Sequence, residues 1–259
     1  RSRGLGDVYK RQVVNNKLIF CNKNSVLTLD DVEFPMDSAV KANLANNANN
    51  VSIVNFLLTS YPLAKEHYLL KLQQFVNSML WFRSVEKNEF MGLATAPANL
   101  DEYIIKNKLT RDFEEFIHRV SGQSFEFQEP KDDDKELYCV FGLGRIPFDK
   151  IASTGTQSLM LLYYWLKQMT KASFVFIDEF DAFYHFRLSY EVCKTLFSLP
   201  CQAFTSSHNT YLMTNDLLRP DCNFILQDNK IKPLSDCTQK ELRFGHNIEK
   251  MFRGNAFEV

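Results

Sequence analysis

An Asp-Glu pair follows four consecutive apolar residues in SFVFIDEFDAFYH, where Phe174, Val175, Phe176 and Ile177 precede Asp178 and Glu179. Such a run is typical of a central parallel strand buried on both faces. Carboxylates at its end are costly unless a cation or hydrogen-bond donors meet them, and in open α/β sheets that edge is where ligands bind. The plainer alternative is a strand that ends in a charged loop. A second apolar run, in CQAFTSSHNTYLM, ends in Ser206, Ser207 and His208, 29 residues beyond Glu179. A neighbouring parallel strand would deliver His208 to the edge that carries Asp178. A lone His is more often structural, but beside an acidic pair an imidazole can hydrogen-bond a phosphate or an attacking water. The third stretch is IASTGTQSLMLLYYWL, with Ser153, Gly155 and Gln157 where an irregular segment enters an apolar helix. A helix N-terminus offers unpaired backbone N–H groups and the positive end of its dipole, which together favour a phosphate. Taken alone, Ser153 reads first as an N-cap, and Gly155 as a source of turn flexibility.

The elements that must position these residues follow from the apolar periodicity. LYCVF and RIPFDK read as two strands around the Gly142 to Gly144 turn, followed by a helix from about Thr156 to Gln168. The strand SFVFID, another helix, the strand QAFTSS and NFILQ complete the pattern. Strand alternating with helix predicts a largely parallel α/β sheet. Upstream, the acidic EPKDDDKE at 129 to 136 reads as a solvated turn between strands rather than a metal site, because consecutive Asp residues repel. KLIFC and SVLTLD predict a strand hairpin. The Asn-rich stretch after it, with Leu44, Val51, Val54, Phe56 and Leu57 interleaved, predicts a capped, partly helical segment rather than a linker. Leu69, Leu72, Phe75, Val76, Met79 and Leu80 recur at spacings of three and four, which predicts an amphipathic helix. A second helix is expected from about Leu100 to Val120, with Tyr103, Ile104, Leu109, Phe113, Phe116 and Ile117 on one face. These two helices are expected to form an insertion or arm.

The chain has 259 residues, 45% apolar and 24% charged, so whole-chain disorder and fibrous repeats are excluded. Thirty Lys and Arg oppose 31 Asp and Glu, so no global field favours nucleic acid, a membrane surface or an acidic substrate. No nucleic-acid patch is evident either: the basic residues of LAKEHYLLKL and IIKNKLTR read as solvated helix faces. Cys21, Cys139, Cys193, Cys201, Cys222 and Cys237 lack C-x-x-C spacing, which argues for reduced thiols in an intracellular protein. No uncharged apolar run reaches the ~18 residues that span a bilayer. A cytoplasmic protein without a membrane partner is expected. Residues 1–12 have no packing period and resemble a translated sequencing adapter, so native sequence is expected to begin near Val13 with something missing upstream. The expected divisions are a leader at 1–12, a hairpin and helical arm at 13–135, and an α/β part at 136–259.

Four apolar residues followed by Asp-Glu form the Walker B pattern, in which the Asp supports Mg²⁺ and the Glu orients and polarises a water. In order, STGTQ, FIDEFD and TSSHN resemble the signature motif, Walker B and switch histidine of ABC-type ATPase heads, in the SMC-like and OLD-like branch. More closely, they are similar to the AAA-annotated ATP-binding proteins of bacterial antiphage defence, whose ending resembles LRFGHNIEKMFRGNAFEV. The resemblance is strong over 136–259 and weak over 13–135. It implies a P-loop NTPase of the ABC-head type with an incomplete, largely parallel sheet, ATP and Mg²⁺ as cofactors, and a homodimer formed through ATP. Ser153, Gly155 and Gln157 would contact the ATP of a partner subunit, and Asp178 would bind Mg²⁺. Glu179 would be the general base, Asp181 would lie near the dimer-facing loop, and His208 would sense the γ-phosphate. An effector protein encoded nearby is the implied partner.

Two departures stand against the resemblance. The family's Glu-x-x-x-x-Leu-His-Pro pattern appears as EFDAFYHF, which leaves His185 between a functional and a packing role. G-x-x-x-x-G-K-[ST] occurs nowhere, since neither GLGRIPFDK nor GLGDVYKRQ supplies its end. The competing reading is a nucleotide-gated switch or scaffold that binds ATP with little turnover and regulates a partner nuclease or toxin. An intact Glu179 favours hydrolysis. No acidic metal motif of the OLD-like nuclease kind follows His208.

Overall fold

The computed structural model describes residues 9–14, 17–23, 26–47, 52–83, 96–131 and 133–258. Residues 1–8 of the expected leader, Val51 of the Asn-rich stretch and Asp132 of the acidic loop lie outside them. The chain forms two compact units that divide at Asn77/Ser78 rather than at the expected 135/136.

In the first unit, β1 (Tyr9–Val14), β2 (Lys17–Lys23) and β3 (Val26–Leu29) form an antiparallel sheet in that order. The expected hairpin is β2 and β3. β1 adds to it, pairing from Tyr9↔Lys23 to Val14↔Lys17, and so runs across the expected junction at 12/13. The Asn-rich stretch is helical, as its interleaved apolar residues imply. α1 (Ser38–Asn46) is capped by Asp37, whose carboxylate accepts the Ala39 N–H at 2.7 Å, and α2 (Ile53–Ser60) by Ser52, whose hydroxyl accepts from Asn55. α3 spans Tyr68–Asn77. Phe34, Leu44, Ile53, Leu57 and Leu69 close a small core against Ile19 and Phe20 of β2.

The amphipathic stripe does not continue as one helix. α3 stops at Asn77, and Met79–Arg83 forms β4, paired in parallel with a later strand. Leu, Met and Trp suit both states, so spacing alone cannot place this break. The backbone partners offered by a strand about 95 residues away in sequence decide it.

The second unit runs from β4 through α4 (Leu100–Lys106), α5 (Thr110–Ser121), β5 (Tyr138–Phe141), β6 (Gly144–Pro147), α6 (Phe148–Ile151) and α7 (Thr154–Met169). It continues with β7 (Phe174–Asp178), α8 (Phe186–Phe197), β8 (Gln202–Thr205), β9 (Phe224–Gln227), β10 (Lys230–Pro233) and α9 (Ile248–Arg253). Among the described residues the parallel sheet has the order β4-β7-β8, with α8 as the crossover between β7 and β8. β5 and β6 form the expected hairpin around Gly142. NFILQ is not a further parallel strand. It is β9, which turns back on β10 through Asp228 and Asn229, both left-handed (φ 51° and 59°) as a two-residue hairpin turn requires.

The helix expected over 100–120 is two helices. Lys108 takes φ 55° and Leu109 N–H donates to the Ile104 carbonyl, so the chain turns between α4 and α5. Neither forms an arm. Phe113, Phe116, Ile117 and Val120 of α5 share one core with Leu159, Leu162 and Trp165 of α7 and Val175 and Ile177 of β7. That burial draws α4 and α5 into this unit. β7 is fully buried through Val175 and Ile177, while Phe174 and Phe176 on its other face are half-buried. Among the described residues no helix is long and apolar enough to cross a membrane.

Candidate functional site

The register of β7 and β8 builds the site. Ile177 pairs with Thr205, which sets Ser206 beside Asp178. The Ser206 N–H donates to the Ile177 carbonyl (3.0 Å), and the Ser206 carbonyl accepts the Phe180 N–H (3.2 Å). The Ser206 hydroxyl donates to Asp178 Oδ1 (2.5 Å) and accepts the Glu179 N–H (2.8 Å). Glu179 sits in the left-handed region at φ 46°, which residues other than glycine rarely adopt, so the chain swings sharply out of the strand there. One residue on, the Ser207 hydroxyl donates to Asp181 Oδ2 (2.8 Å) and accepts the Asn209 N–H (2.9 Å).

Asp178, Glu179, Asp181 and His208 are therefore brought together at the C-terminal end of the sheet. Glu179 Oε1 lies 3.4 Å from His208 Nε2, and the imidazole is almost wholly exposed. Glu179, Asp181, Ala182, His208 and Asn209 line an open cavity of about 320 Å³. Ser206, Ser207 and Asn209 hold no assigned role in the sequence reading, although two serines at a strand end directly before the His are a usable signal: short hydroxyls there reach the neighbouring turn.

The α7 residues meet the loop that leaves β7, residues 179–185. Ser153 is the N-cap of α7: its hydroxyl accepts the Thr156 N–H at 3.2 Å and pairs with the Thr156 hydroxyl at 2.8 Å. Ser153 and Gln157 are exposed, but the Gln157 amide donates to the Asp149 carbonyl at 3.0 Å. Gly155 packs on the loop itself, since a β-carbon there would lie 3.2 Å from the Phe183 carbonyl oxygen. Buried Ser158 and Tyr184 share a hydrogen bond of 3.1 Å, a second tie between α7 and the same loop. Burial pushes the Tyr184 hydroxyl well above its ordinary pKa, and the nearby Asp181 adds to this against the Ser158 bond, so the tie stays neutral. His185 is the N-cap of α8, its Nδ1 accepting the Leu188 N–H. The structure thus gives His185 a capping role.

Chemically, the strand end offers carboxylates oriented by hydroxyl and backbone donors, and an imidazole within reach of one of them. Carboxylates and an imidazole so placed can activate a water, but among the described residues no group of three or more His, Cys, Asp or Glu side chains converges as a metal site by itself. The phosphate side of a nucleotide is less well provided: the 259 residues contain no Gly-Lys-Ser/Thr loop to cradle it.

A family model described as "AAA domain, putative AbiEii toxin, Type IV TA system" matches residues 41–214, well over half of the chain and a stretch that includes every candidate site residue above. No curated protein and no solved structure matches the chain.

Proposed function

Because the chain belongs to this AAA-domain family of P-loop NTPases, we propose that it binds and hydrolyses ATP as an ABC-type head that pairs with a second copy around the nucleotide. The observation that carries the reading is the meeting of Glu179 and His208 across the cavity, beside an Asp178 carboxylate already oriented by Ser206. In this reading Asp178 would supply one carboxylate ligand to Mg²⁺, and Glu179 would orient a water and take its proton. His208, on the exposed rim, hydrogen-bonds a terminal phosphate, and Asp181 lies at the loop that faces the second copy. The metal would offset the phosphate charge when bound. The exposed N-terminus of α7, with Ser153, Gly155 and Gln157, would meet nucleotide held by the other head through its backbone donors.

The family description includes a toxin of a type IV TA system. Consistent with that, the head would gate or power an effector in the cytoplasm, with a defence role. The intact protein is the material for the test. Glu179→Gln keeps the shape and removes the base, so ATP turnover should fall at least ~10²-fold while nucleotide binding persists. Turnover at the wild-type rate in this variant would remove Glu179 from the reaction.

A further inference from the structure

The clasp between the two strand-end turns goes deeper than an ordinary loop contact. A serine hydroxyl has one donor and two acceptor positions. Ser206 spends its donor on a carboxylate, where charge strengthens the bond, and accepts the amide of the next residue in the partner turn. Its own backbone N–H and carbonyl bond Ile177 and Phe180. Four hydrogen bonds from one residue therefore bracket Glu179, the residue whose left-handed backbone costs about 1–3 kcal/mol to hold. Ser207 repeats the contact on Asp181. Because Ser206 and Ser207 directly precede His208, the same residues that set the acid turn also set where the imidazole stands.

We propose that Ser206 is a positioning residue for this site: its hydroxyl orients the Asp178 carboxylate and locks Glu179 in the left-handed turn that aims it at His208. This rests on the site being the hydrolytic one proposed above. The hydroxyl touches no reacting atom. Without it, Asp178 loses a charge-assisted donor and the Glu179 N–H loses the Ser206 hydroxyl, which weakens the hold on the left-handed turn and shifts Glu179 toward an ordinary backbone conformation in which it no longer faces His208.

Ser206→Ala, Ser206→Thr and Glu179→Gln in the intact protein form the test. In nucleotide-free protein, hydrogen exchange at the amide of Glu179 should quicken by about tenfold in Ser206→Ala, the loss of roughly one hydrogen bond, and more than at Phe180, whose N–H keeps the Ser206 backbone carbonyl. With Mg-ATP, kcat should drop about 10–100-fold with KM for ATP changed less than about threefold, and half-saturation by Mg²⁺ should move to higher concentration. Ser206→Thr keeps the hydroxyl and should restore both the exchange rate and kcat to within about threefold of wild type. Wild-type exchange and Mg²⁺ dependence in Ser206→Ala would overturn the proposal, as would a Thr variant impaired like Ala. If Glu179→Gln is inactive while Ser206→Ala behaves as wild type, only the positioning role fails. If Glu179→Gln turns over normally, the hydrolytic reading itself fails.

Discussion

Gly155, in the first turn of α7, stands so near Phe183 that a β-carbon would come within 3.2 Å of the Phe183 carbonyl oxygen. The α7 N-terminus and the loop that leaves β7 are thus in contact within one chain, before any second copy is considered. A glycine expected to spare a phosphate also spares a backbone neighbour.

The two roles separate experimentally. Gly155→Ala trades crowding of a few tenths of an ångström against a helix-propensity gain of up to about 1 kcal/mol, so stability by denaturant titration should change by less than about 1 kcal/mol. Gly155→Arg should remain folded, because its β-carbon meets the same neighbour, yet its side chain would block the exposed helix end. Size-exclusion chromatography with ATP should then show no dimer. A Gly155→Arg protein that dimerises normally would exclude this helix end from the contact.

The backbone of Glu179 makes a prediction of opposite sign for stability and activity. Glycine tolerates φ 46° without steric cost, so relief of about 1–3 kcal/mol of strain, less about 0.5–1 kcal/mol for glycine's greater unfolded-state freedom, should leave Glu179→Gly more stable by about 0.5–2 kcal/mol while turnover is lost. Calorimetric melting of the pair decides it. A variant less stable by more than about 1 kcal/mol would show that the Glu179 side chain, not the turn, dominates locally.

Asp101 links pH to stability away from the site. Its Oδ1 is buried without a hydrogen-bond partner, and burial pushes its pKa up to about 6, partly opposed by the Leu137 N–H. The folded state thus keeps a proton that the unfolded chain releases from about pH 4. Stability contributed by this group is full below that pH and is lost as pH rises to about 6. Asp101→Asn should stabilise the protein at pH 7 by about 1–2 kcal/mol after allowance for screening, and by nothing near pH 4. Urea titrations at both pH values are sufficient. An equal effect at the two would remove ionisation as the cause.

What the sequence by itself determined was which residue types stand at the strand ends and the order of the pieces that carry them. A four-residue apolar run before Asp178 and a polar Ser206-Ser207-His208 after a second such run need only short-range patterning to be read, and β7 and β8 occupy those runs. The hairpin of β5 and β6 is equally local, fixed by Gly142 at φ 55°. The tertiary structure decided whatever depends on distant partners. Met79–Arg83 carries helical spacing yet pairs with Phe174–Asp178, because unmet backbone groups on a buried strand outweigh a propensity difference of tenths of a kcal/mol per residue. α5 joins the second core because Phe113 and Phe116 find Tyr163 there, with the Tyr163 hydroxyl donating to Asp112. The grip of Ser206 on Asp178 and Glu179 belongs to the same class. It exists only once two parallel strands fall into register, and register is a property of the sheet, not of either strand.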